Sequence, residues 1–338
     1  MAGLTSMRAV PAHARSWLEL GKPGLSALVV VTAAVGFVLA SADPIHVGRL
    51  AGLMVGTFLA ALGANALNQY RESDRDGRMQ RTAGRPLPAQ RLTRRQALLF
   101  GLLSGAAGTG TLAVGVQPAA GILALAALAI YVLAYTPLKT RTAANTLVGA
   151  VVGAIPPLIG WVAARGRLEV GAWILAGVLL VWQIPHFLAL AWVYRDDYDR
   201  GGFRMLPVVD RAGHLTACVV VVYTLLLVAV SLTLVWVGGL GVLYAGGALV
   251  LGAGLVVLGV RLERQRSARA ARRVFLGSIA YLPLLLGLMV LDRQVLGARP
   301  AAAWLGDRSP EKHAAVADKA EAGLKAAEES AEPRLGPN

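Results

Sequence analysis

Long apolar runs alternate with short polar stretches along most of the chain. Each run has about 20 residues, the length with which an α-helix crosses a hydrocarbon core ~30 Å thick. The pattern therefore predicts an all-α integral membrane protein, a bundle of about nine transmembrane helices. The runs fall at roughly 26–42, 48–70, 96–115, 118–137, 145–164, 170–193, 215–236, 239–260 and 274–296.

Lysine and arginine set the expected orientation. The loops after helices two, four, six and eight hold most of these residues, and the opposite loops carry few. Because cytoplasmic loops concentrate positive charge, we expect a cytoplasmic N-terminus and a C-terminus on the opposite side. We divide the chain into a cytoplasmic N-terminal segment (1–23), a transmembrane domain (24–297) and a polar tail (298–338) without a sustained apolar face.

Composition agrees with a membrane protein. Of the 338 residues, 56% are hydrophobic and 15% are charged, and the mean hydropathy is +0.59, too high for a soluble domain of this size. The net charge of +14 follows from the arginine-rich loops, so it does not indicate nucleic-acid binding. A single cysteine excludes an intrachain disulfide framework.

A highly charged stretch, NQYRESDRDGRMQRTAGRPLP, begins at the end of the second apolar run. Within it, Asn68, Glu72 and Asp76 recur every four residues, so they line one face if the helix continues past the membrane surface. Asp74 falls roughly on the other side. Oxygen ligands of this kind suit a hard cation, and Mg²⁺ in particular takes one or two carboxylates together with phosphate oxygens.

These acids also have a simpler interpretation, in which they pair with Arg71, Arg75 and Arg78 on a solvated face. The residues that follow favour a binding site. Arg81 and Arg85 lie in RTAGRPLP, where glycine and proline predict an ordered, irregular loop. Guanidinium groups beside a metal site suit a diphosphate, because arginine makes planar two-point contacts with phosphate oxygens.

A second acidic cluster follows the sixth apolar run. Asp196 and Asp197 lie on the same predicted side of the membrane as the first cluster. Two clusters at equivalent helix ends suggest two metal-binding arms that face a shared cavity. The alternative is an acid-rich turn neutralised by Arg195 and Arg200.

The loop between the fourth and fifth helices adds cations. Lys139 and Arg141 either complete a ring of positive charge around the acids or only set the orientation. Asn145 either caps the fifth helix, the more common role, or reaches a ligand. Pro156 and Pro157 lie in mid-span and predict a kink that widens a cavity.

One histidine lies inside a predicted span. His186 follows Pro185 in the sixth helix, where a buried imidazole either contacts a substrate or hydrogen bonds to a neighbouring helix. Further on, Gly201 and Gly202 permit a backbone turn that brings Arg204 back toward the acids.

Together these motifs resemble the UbiA superfamily of intramembrane prenyltransferases, and within it the haem O synthase branch. The first acidic stretch is typical of the superfamily. YTPLK at 135–139, NTLVGAVVGAIPP at 145–157 with a following GW, WQIPHF at 182–187 and the acid-rich segment that ends in RGG are similar to the haem branch. The resemblance covers roughly residues 20–295.

The resemblance implies that Asn68, Glu72 and Asp76 form the first metal and diphosphate motif. Asp196 and Asp197 correspond to the second motif, although this region lacks the regular spacing of the aromatic prenyltransferases. The implied reaction transfers a farnesyl group from farnesyl diphosphate to a vinyl group of haem B and gives haem O, with Mg²⁺ assisting ionisation.

Further roles follow from the same resemblance. The cations that would neutralise the leaving diphosphate are Arg81, Arg85, Lys139 and Arg141. His186 would orient or ligate the haem iron, and Arg204 would pair with the propionates. Haem is a substrate here, and the implied partners are the bilayer and the machinery of haem A synthesis or terminal oxidase assembly. We expect a bacterial cytoplasmic membrane, with the site on the cytoplasmic side.

Two other functions stay open from the residues. A UbiA-type prenyltransferase acting on an aromatic or quinone precursor would use the same acidic motifs. A transporter of an anionic amphiphile would use the same cations without chemistry, but transporter sites commonly lie near the bilayer midplane, whereas these acids cluster at one membrane surface.

Overall fold

The computed structural model describes residues 12–41, 45–237 and 239–295. All regular elements in this part of the chain are helices. Nine helical spans within it are long and apolar enough to cross a membrane, which confirms the predicted fold class. The predicted polar tail lies outside the described residues.

Eight of the spans are single helices and the fourth is composite. The single helices are α2 (Pro23–Ala40), α3 (Val47–Asp76), α4 (Arg94–Gly115), α7 (Asn145–Arg165), α8 (Val170–Val193), α11 (His214–Trp236), α12 (Val242–Gln265) and α13 (Ala268–Val295). The fourth span joins α5 (Pro118–Ala129), a π-helical segment (Ile130–Tyr135) and α6 (Thr136–Leu138). Three shorter helices are α1 (Ala12–Gly21), α9 (Arg195–Arg200) and α10 (Leu206–Val209).

Helix α3 extends six residues beyond its predicted apolar end at 70. The added residues contain no glycine or proline, and the helix ends only where Gly77 begins the next loop. The acidic stretch is therefore helical through Asp76, which is the condition under which its four-residue spacing defines one face.

The π-helical segment lies where the fourth span approaches the acidic stretch. The rings of Tyr131 and Tyr135 stack there with centroids 5.3 Å apart, and Thr136 Oγ1 donates to Tyr131 O (2.8 Å). Such π segments are frequent at functional sites. Nothing in the apolar periodicity predicts this one, because the run reads as a continuous helix.

Glycine lets the helices approach closely. A Cβ on Gly63 of α3 would lie 2.5 Å from Gly105 N of α4, and a Cβ on Gly108 of α4 would lie 2.2 Å from Ala60 N of α3. Backbones at such distances gain dispersion contacts that larger side chains would prevent, which is the usual basis of helix association in lipid.

Helix α7 runs without interruption through Pro156 and Pro157. It packs closely on α2, since a Cβ on Gly160 would lie 1.8 Å from Ala33 O. Pro156 lines an apolar cavity within the bundle. Pro156 thus lies at the wall of a cavity, where its missing N–H group leaves a carbonyl that neighbouring groups can satisfy.

Helix α1 lies within the predicted N-terminal segment and packs on α3. Leu20 is fully buried against Ala66, and the ring of Trp17 lies 5.4 Å from that of Phe100 on α4. Gln69 Nε2 donates to Leu20 O (2.7 Å), one of the terminal carbonyls that α1 cannot satisfy itself. The N-terminal residues are therefore part of the bundle's polar end.

We predict that Gly63→Leu weakens the α3–α4 contact. The new side chain would meet the backbone of Gly105, so the helices must separate, at a cost of about 1–3 kcal/mol. Thermal unfolding in detergent should show a melting temperature several degrees lower. Gly110→Ala is the control, since a Cβ at Gly110 has open space around it; equal melting temperatures for the two variants would contradict the close approach.

Candidate active site

Three polar side chains share a buried face at the end of α3. Asn68, Glu72 and Asp76 are 2%, 5% and 1% exposed, and they lie one turn apart along the helix. Asp74 is on the other side, as its position in the sequence predicts. It is exposed, and its carboxylate pairs with Arg94 Nη1 at 3.1 Å.

Each buried carboxylate meets a cation from another part of the chain. Lys139 Nζ lies 2.9 Å from Glu72 Oε1, and Arg85 Nη1 donates to Asp76 Oδ2 at 2.7 Å. These pairs are not the surface ion pairs with Arg71, Arg75 and Arg78 that the simpler interpretation of the sequence predicts. A buried carboxylate needs such a partner, because desolvation of an uncompensated charge costs several kcal/mol.

The loop after α3 folds back to deliver Arg85. Thr82 Oγ1 donates to Asp76 O (2.8 Å), and Arg91 donates to Gly84 O (2.7 Å) as well as to the carboxylate of Glu19 on α1. Arg91 therefore links the loop to α1. We did not identify this role from the sequence, because Arg91 is one of many arginines near a helix start.

Lys139 remains a cation in this setting. Burial alone would lower the pKa of Lys139, but the carboxylate of Glu72 and the nearby phenols outweigh it and raise the pKa above its ordinary value. The ammonium also lies 4.6 Å from the ring centroid of Tyr135, a favourable cation–π distance.

Lys22 is a further candidate residue that the sequence analysis missed. It occupies the corner between α1 and α2 with φ 49°, a left-handed conformation that is uncommon outside glycine. Burial lowers the pKa of the Lys22 ammonium to about 7. The cations Arg85 and Lys139 lower this pKa further, whereas Glu72 and Asp76 oppose the shift. Lys22 is therefore the third basic side chain close to the acids of the site, after Lys139 and Arg85.

Side chains of α3 hold the backbone around Lys22. Asn65 Nδ2 donates to Gly21 O (3.3 Å) and to Ser26 Oγ (3.1 Å), which fixes the end of α1 and the first turn of α2. The only feature of the local sequence that indicates this corner is Pro23, since proline is common at the first position of a helix. That signal marks a helix start but does not say that the preceding lysine reaches the acids.

The acidic face has free oxygen capacity for a hard cation. Asp76 Oδ1 is buried and has no hydrogen-bond partner among the described residues. Glu72 Oε1 meets Lys139 as an ion pair but accepts no well-aligned hydrogen bond. Two carboxylates of this kind fit Mg²⁺, which takes its other ligands from phosphate oxygens and water. In the part of the chain that the structure describes, no group of three or more acidic, histidine or cysteine side chains could hold a metal.

The second acidic cluster binds the first loop. Asp197 is buried, and its two oxygens accept from Gln80 N (3.0 Å) and Arg81 N (3.2 Å). Asp196 is exposed, with Arg195 at 3.8 Å. The structure thus brings Asp197 to the loop between α3 and α4 but leaves Asp196 outside, and the role of both as metal ligands stays a prediction.

Hydrogen bonds keep Asp197 ionised. Burial would raise its pKa, but the guanidinium of Arg200 and the two backbone N–H groups outweigh burial and hold the pKa below its ordinary value. The contacts of Arg195 and Arg200 are those of the neutralised turn that the sequence left as an alternative. Asp197 nevertheless does more than neutralise a turn, because it joins α9 to a loop more than a hundred residues earlier.

Arg81 faces the tyrosines of the second cluster. Its guanidinium carbon lies 5.0 Å from the ring centroid of Tyr194 and 5.7 Å from that of Tyr198. Arg81 and Arg85, which are close in sequence, therefore have different surroundings. Arg85 pairs with an acid of α3, and Arg81 packs on α8 and α9.

A polar cavity of about 240 Å³ lies beside Glu72. Its lining residues are Arg71, Glu72, Arg75, Thr136, Pro137, Thr140, Arg141 and Phe203. Arg141 thus faces this polar cavity. Arg204 does not line it, although Arg204 N donates to Lys139 O (2.6 Å) and so supports the loop from outside.

Asn145 does not cap α7, so the capping prediction is wrong. Ala144 takes the N-cap position. The Nδ2 of Asn145 donates to Thr142 O (2.6 Å) and to Arg204 O (3.1 Å). These bonds join the loop before α7 to the segment after α9, so the side chain positions backbone around the site.

An apolar cavity of about 280 Å³ lies between α2, α3, α5, α7 and α8. Its walls include Leu25, Val29, Ala60, Tyr135, Pro156 and His186. Tyr135 lines this apolar cavity, and the next residue, Thr136, lines the polar one. Asn68 Nδ2 donates to Thr136 Oγ1 (3.1 Å), so the polar end of α3 lies where the two cavities adjoin.

His186 lies in the wall of the apolar cavity, and its hydrogen bond to Ser278 favours one tautomer of the ring. Its Nδ1 is 2.9 Å from Ser278 Oγ, and the Ser278 hydroxyl donates its only proton to Phe275 O (2.7 Å). The tautomer that satisfies both bonds has Nδ1–H donating to Ser278 Oγ and Nε2 unprotonated. The ring stacks on Trp182, with centroids 4.9 Å apart. The helix-to-helix hydrogen bond is therefore present, and contact of His186 with a substrate stays a prediction.

Fold and site define an intramembrane prenyltransferase of one family: the chain belongs to the UbiA prenyltransferase family, whose model matches residues 29–286. Two of its curated relatives are named protoheme IX farnesyltransferase. The protein from Solibacter usitatus is 42% identical over 288 residues, covering 82% of this chain and 99% of that protein. The protein from Opitutus terrae is 43% identical over 284 residues, covering 83% and 95%.

Solved structures share the fold. A structure of digeranylgeranylglyceryl phosphate synthase matches with a TM-score of 0.70 at 15% identity and covers 83% of this chain and 99% of that one. A UbiA homologue from Archaeoglobus fulgidus bound to DMAPP and Mg²⁺ matches with a TM-score of 0.61 at 12% identity, covering 81% and 99%. At such identities the likeness concerns the fold alone.

We predict that Asp197→Asn loosens the loop after α3. Loss of a charged acceptor should cost about 1–3 kcal/mol, so backbone amides of Gln80 and Arg81 should exchange about tenfold faster or more. Hydrogen–deuterium exchange with mass spectrometry of the peptide over 77–93 measures this. Asp196→Asn removes an exposed neighbour and should leave exchange unchanged; faster exchange in both variants would contradict the assigned contact.

We predict that Lys22 makes anion binding pH-dependent. Because the pKa of Lys22 is about 7 in the free protein, its charge is present at pH 6 and mostly lost at pH 8.5. Inorganic diphosphate, without metal, should bind about tenfold more weakly at the higher pH, since binding then requires proton uptake. Calorimetry in detergent measures the affinity.

Lys22→Arg is the matched control for this titration. An arginine stays protonated across the range, so the variant should lose the decline in affinity. Lys22→Met should bind weakly at both pH values. The same pH profile in wild type and Lys22→Arg would show that Lys22 is not the titrating group.

Proposed function

We propose that this chain transfers a farnesyl group from farnesyl diphosphate to a vinyl group of haem B and so makes haem O. The observation that carries the proposal is a layer of paired acids and cations next to an apolar cavity with an available imidazole nitrogen. The names of relatives about 40% identical over most of the chain support the choice of substrates.

The cations of the site would bind and stabilise the leaving group. When the allylic C–O bond breaks, its electron pair departs with the diphosphate, and negative charge grows on the leaving oxygen. Arg85, Lys139 and Lys22 lie around the acids where this charge would develop. Positioned cations in a poorly hydrated site stabilise such charge strongly.

Glu72 and Asp76 would hold Mg²⁺, with the diphosphate supplying further oxygens. The buried, unpartnered Asp76 Oδ1 and the Glu72 carboxylate are the donors that fit this ion. When bound, Mg²⁺ neutralises charge on the diphosphate as a Lewis acid. Asp197 would act through the loop that it holds. Asp196 of the second cluster and Arg81, which packs on the tyrosines of that cluster, remain proposed contributors.

The apolar cavity would accept the prenyl chain and the porphyrin. Its walls are apolar side chains of the bundle, which exclude water from the farnesyl cation. The vinyl π electrons then form the new C–C bond and leave a carbocation on the porphyrin substituent. Addition of a water molecule, followed by loss of a proton from it, would give the hydroxyalkyl group of haem O. His186 Nε2 is suited to bind the haem iron, because Ser278 fixes the other ring nitrogen.

We also propose the orientation of the site. Most lysine and arginine residues lie in the loops at the acidic end of the bundle, so this end faces the cytoplasm of a bacterial cytoplasmic membrane. The product would pass to haem A synthesis or terminal oxidase assembly.

The test is product formation by the purified protein in detergent with haem B, farnesyl diphosphate and Mg²⁺. Mass spectrometry should detect farnesylated haem. Asp76→Asn should lower the rate by about a hundredfold or more, and metal removal should abolish product. Asp74→Asn is the matched control, since Asp74 is exposed and pairs with Arg94.

Three outcomes are informative. Equal rates in Asp76→Asn and Asp74→Asn would remove the acidic face from the mechanism. Product with an aromatic acid but not with haem would move the chain to the neighbouring branch of the family. Haem uptake without any product would favour a transporter.

A further inference from the structure

The polar cavity beside Glu72 carries an excess of positive charge. Three of its lining residues are Arg71, Arg75 and Arg141, and Glu72 is its only acid. Glu72 already has a partner, because Lys139 Nζ lies 2.9 Å from it. Within the described ranges, no carboxylate lies in ion-pair distance of the three guanidinium groups. The cavity therefore lacks an anion that would balance it.

Nearby arginines behave differently. Arg85 pairs with Asp76, and Arg94 pairs with Asp74, although both lie on the same end of the bundle. The cavity arginines share the lining with Thr136 and Thr140, whose hydroxyl groups donate to Tyr131 O and Pro137 O.

A glycine leaves room for one of these guanidinium groups. A Cβ on Gly202 would lie 3.4 Å from Arg75 Nη1, and Gly202 has φ 71°. The segment after α9 thus approaches Arg75 closely without filling the cavity. Phe203, the next residue, forms part of the wall, so the second motif shapes this cavity as well as holding the first loop.

Helix geometry places this cavity on one side of the acidic face. Successive residues are about 100° apart around a helix, so Arg71 and Arg75 flank Glu72 on the side away from Asp76 and Gln69. Gln69 contacts α1, and Asp76 contacts Arg85. The Glu72–Lys139 pair therefore separates two groups of cations: Lys22 and Arg85 on one side, and the cavity arginines on the other.

We propose that the polar cavity binds the propionate carboxylates of the haem acceptor. The inference rests on the proposed function, in which the reaction has two anionic substrates. The proposed function assigns Glu72, Asp76, Arg85, Lys139 and Lys22 to the metal and the diphosphate. It does not use the cavity arginines, which leaves them for the second anion. Guanidinium groups match carboxylates through paired N–H···O bonds.

The position of the cavity fits an amphiphilic porphyrin. Tyr135 lines the apolar cavity and Thr136 the polar one, so a ligand at this boundary places its ring among apolar side chains and its carboxylates among arginines. Arg204, the residue that the resemblance places at the propionates, donates from Nη1 to Arg141 O (3.5 Å), and its contact with the propionates stays a prediction. Arg204 is thus a positioning residue for Arg141.

The test compares haem B with its dimethyl ester, in which both propionates are neutral. Spectroscopic titration of the purified full-length protein gives an affinity for each. Wild type should bind haem B more tightly, and Arg75→Gln and Arg141→Gln should weaken haem B binding about tenfold or more each, the effect of losing one charge-assisted bond. Affinity for the ester should not change.

Kinetics and a control variant separate this role from a general structural one. Arg75→Gln should raise the KM for haem B, with the KM for farnesyl diphosphate and the kcat at saturating haem nearly unchanged. Arg78→Gln removes an exposed arginine just after α3 that does not line the cavity, and it should behave as wild type. Arg75→Lys keeps the charge, and partial rescue of haem affinity would exclude a folding defect.

Two results would overturn the inference. Equal affinity of wild type for haem B and its ester would show that the propionates are not recognised. A rise in the KM for farnesyl diphosphate, with haem affinity unchanged, would assign the cavity to the diphosphate. If wild type makes farnesylated haem while the variants bind haem normally, only this inference fails; if wild type neither binds nor converts haem, the proposed function fails with it.

Discussion

The burial of charge at the end of α3 is the constraint on which the rest of the polar end depends. Glu72 and Asp76 are almost fully enclosed, and enclosed carboxylates are costly unless cations compensate them. Their partners, Lys139 and Arg85, come from two different loops. Both loops must therefore be ordered, and the contacts of Asp197 and Arg91 with the first loop provide that order.

The acids divide the polar end into two cationic regions above one apolar cavity. On one side, the corner between α1 and α2 places Lys22 close to Glu72 and Asp76. On the other side, Arg71, Arg75 and Arg141 line a polar cavity. An enzyme that joins two anionic amphiphiles needs separate places for two polar groups and a shared dry space for reaction. The arrangement of charges around α3 meets these needs with few side chains.

Much of the fold could be predicted because its determinants are local. A run of apolar residues crosses a membrane wherever it lies in the chain, so the nine spans followed from the pattern alone. The shared face of Asn68, Glu72 and Asp76 followed from helix periodicity. The π-helical segment did not, because its sequence is as apolar as that of an ordinary helix and tertiary contacts decide its geometry.

Pairing between distant residues could not be predicted in the same way. The pattern identified Arg81 and Arg85 as equivalent candidates, yet one stacks on Tyr194 and the other meets Asp76. No feature of the sequence distinguished Lys22 from the other lysines and arginines near helix ends. The sequence alone was thus enough to predict the membrane class, the number of helices and the chemistry of the acidic face. Hydropathy and helical spacing are properties of residues within a few helical turns of one another. Only the tertiary structure decided which cation pairs with which acid. A buried charge needs an oppositely charged neighbour, and that neighbour can come from any part of the chain.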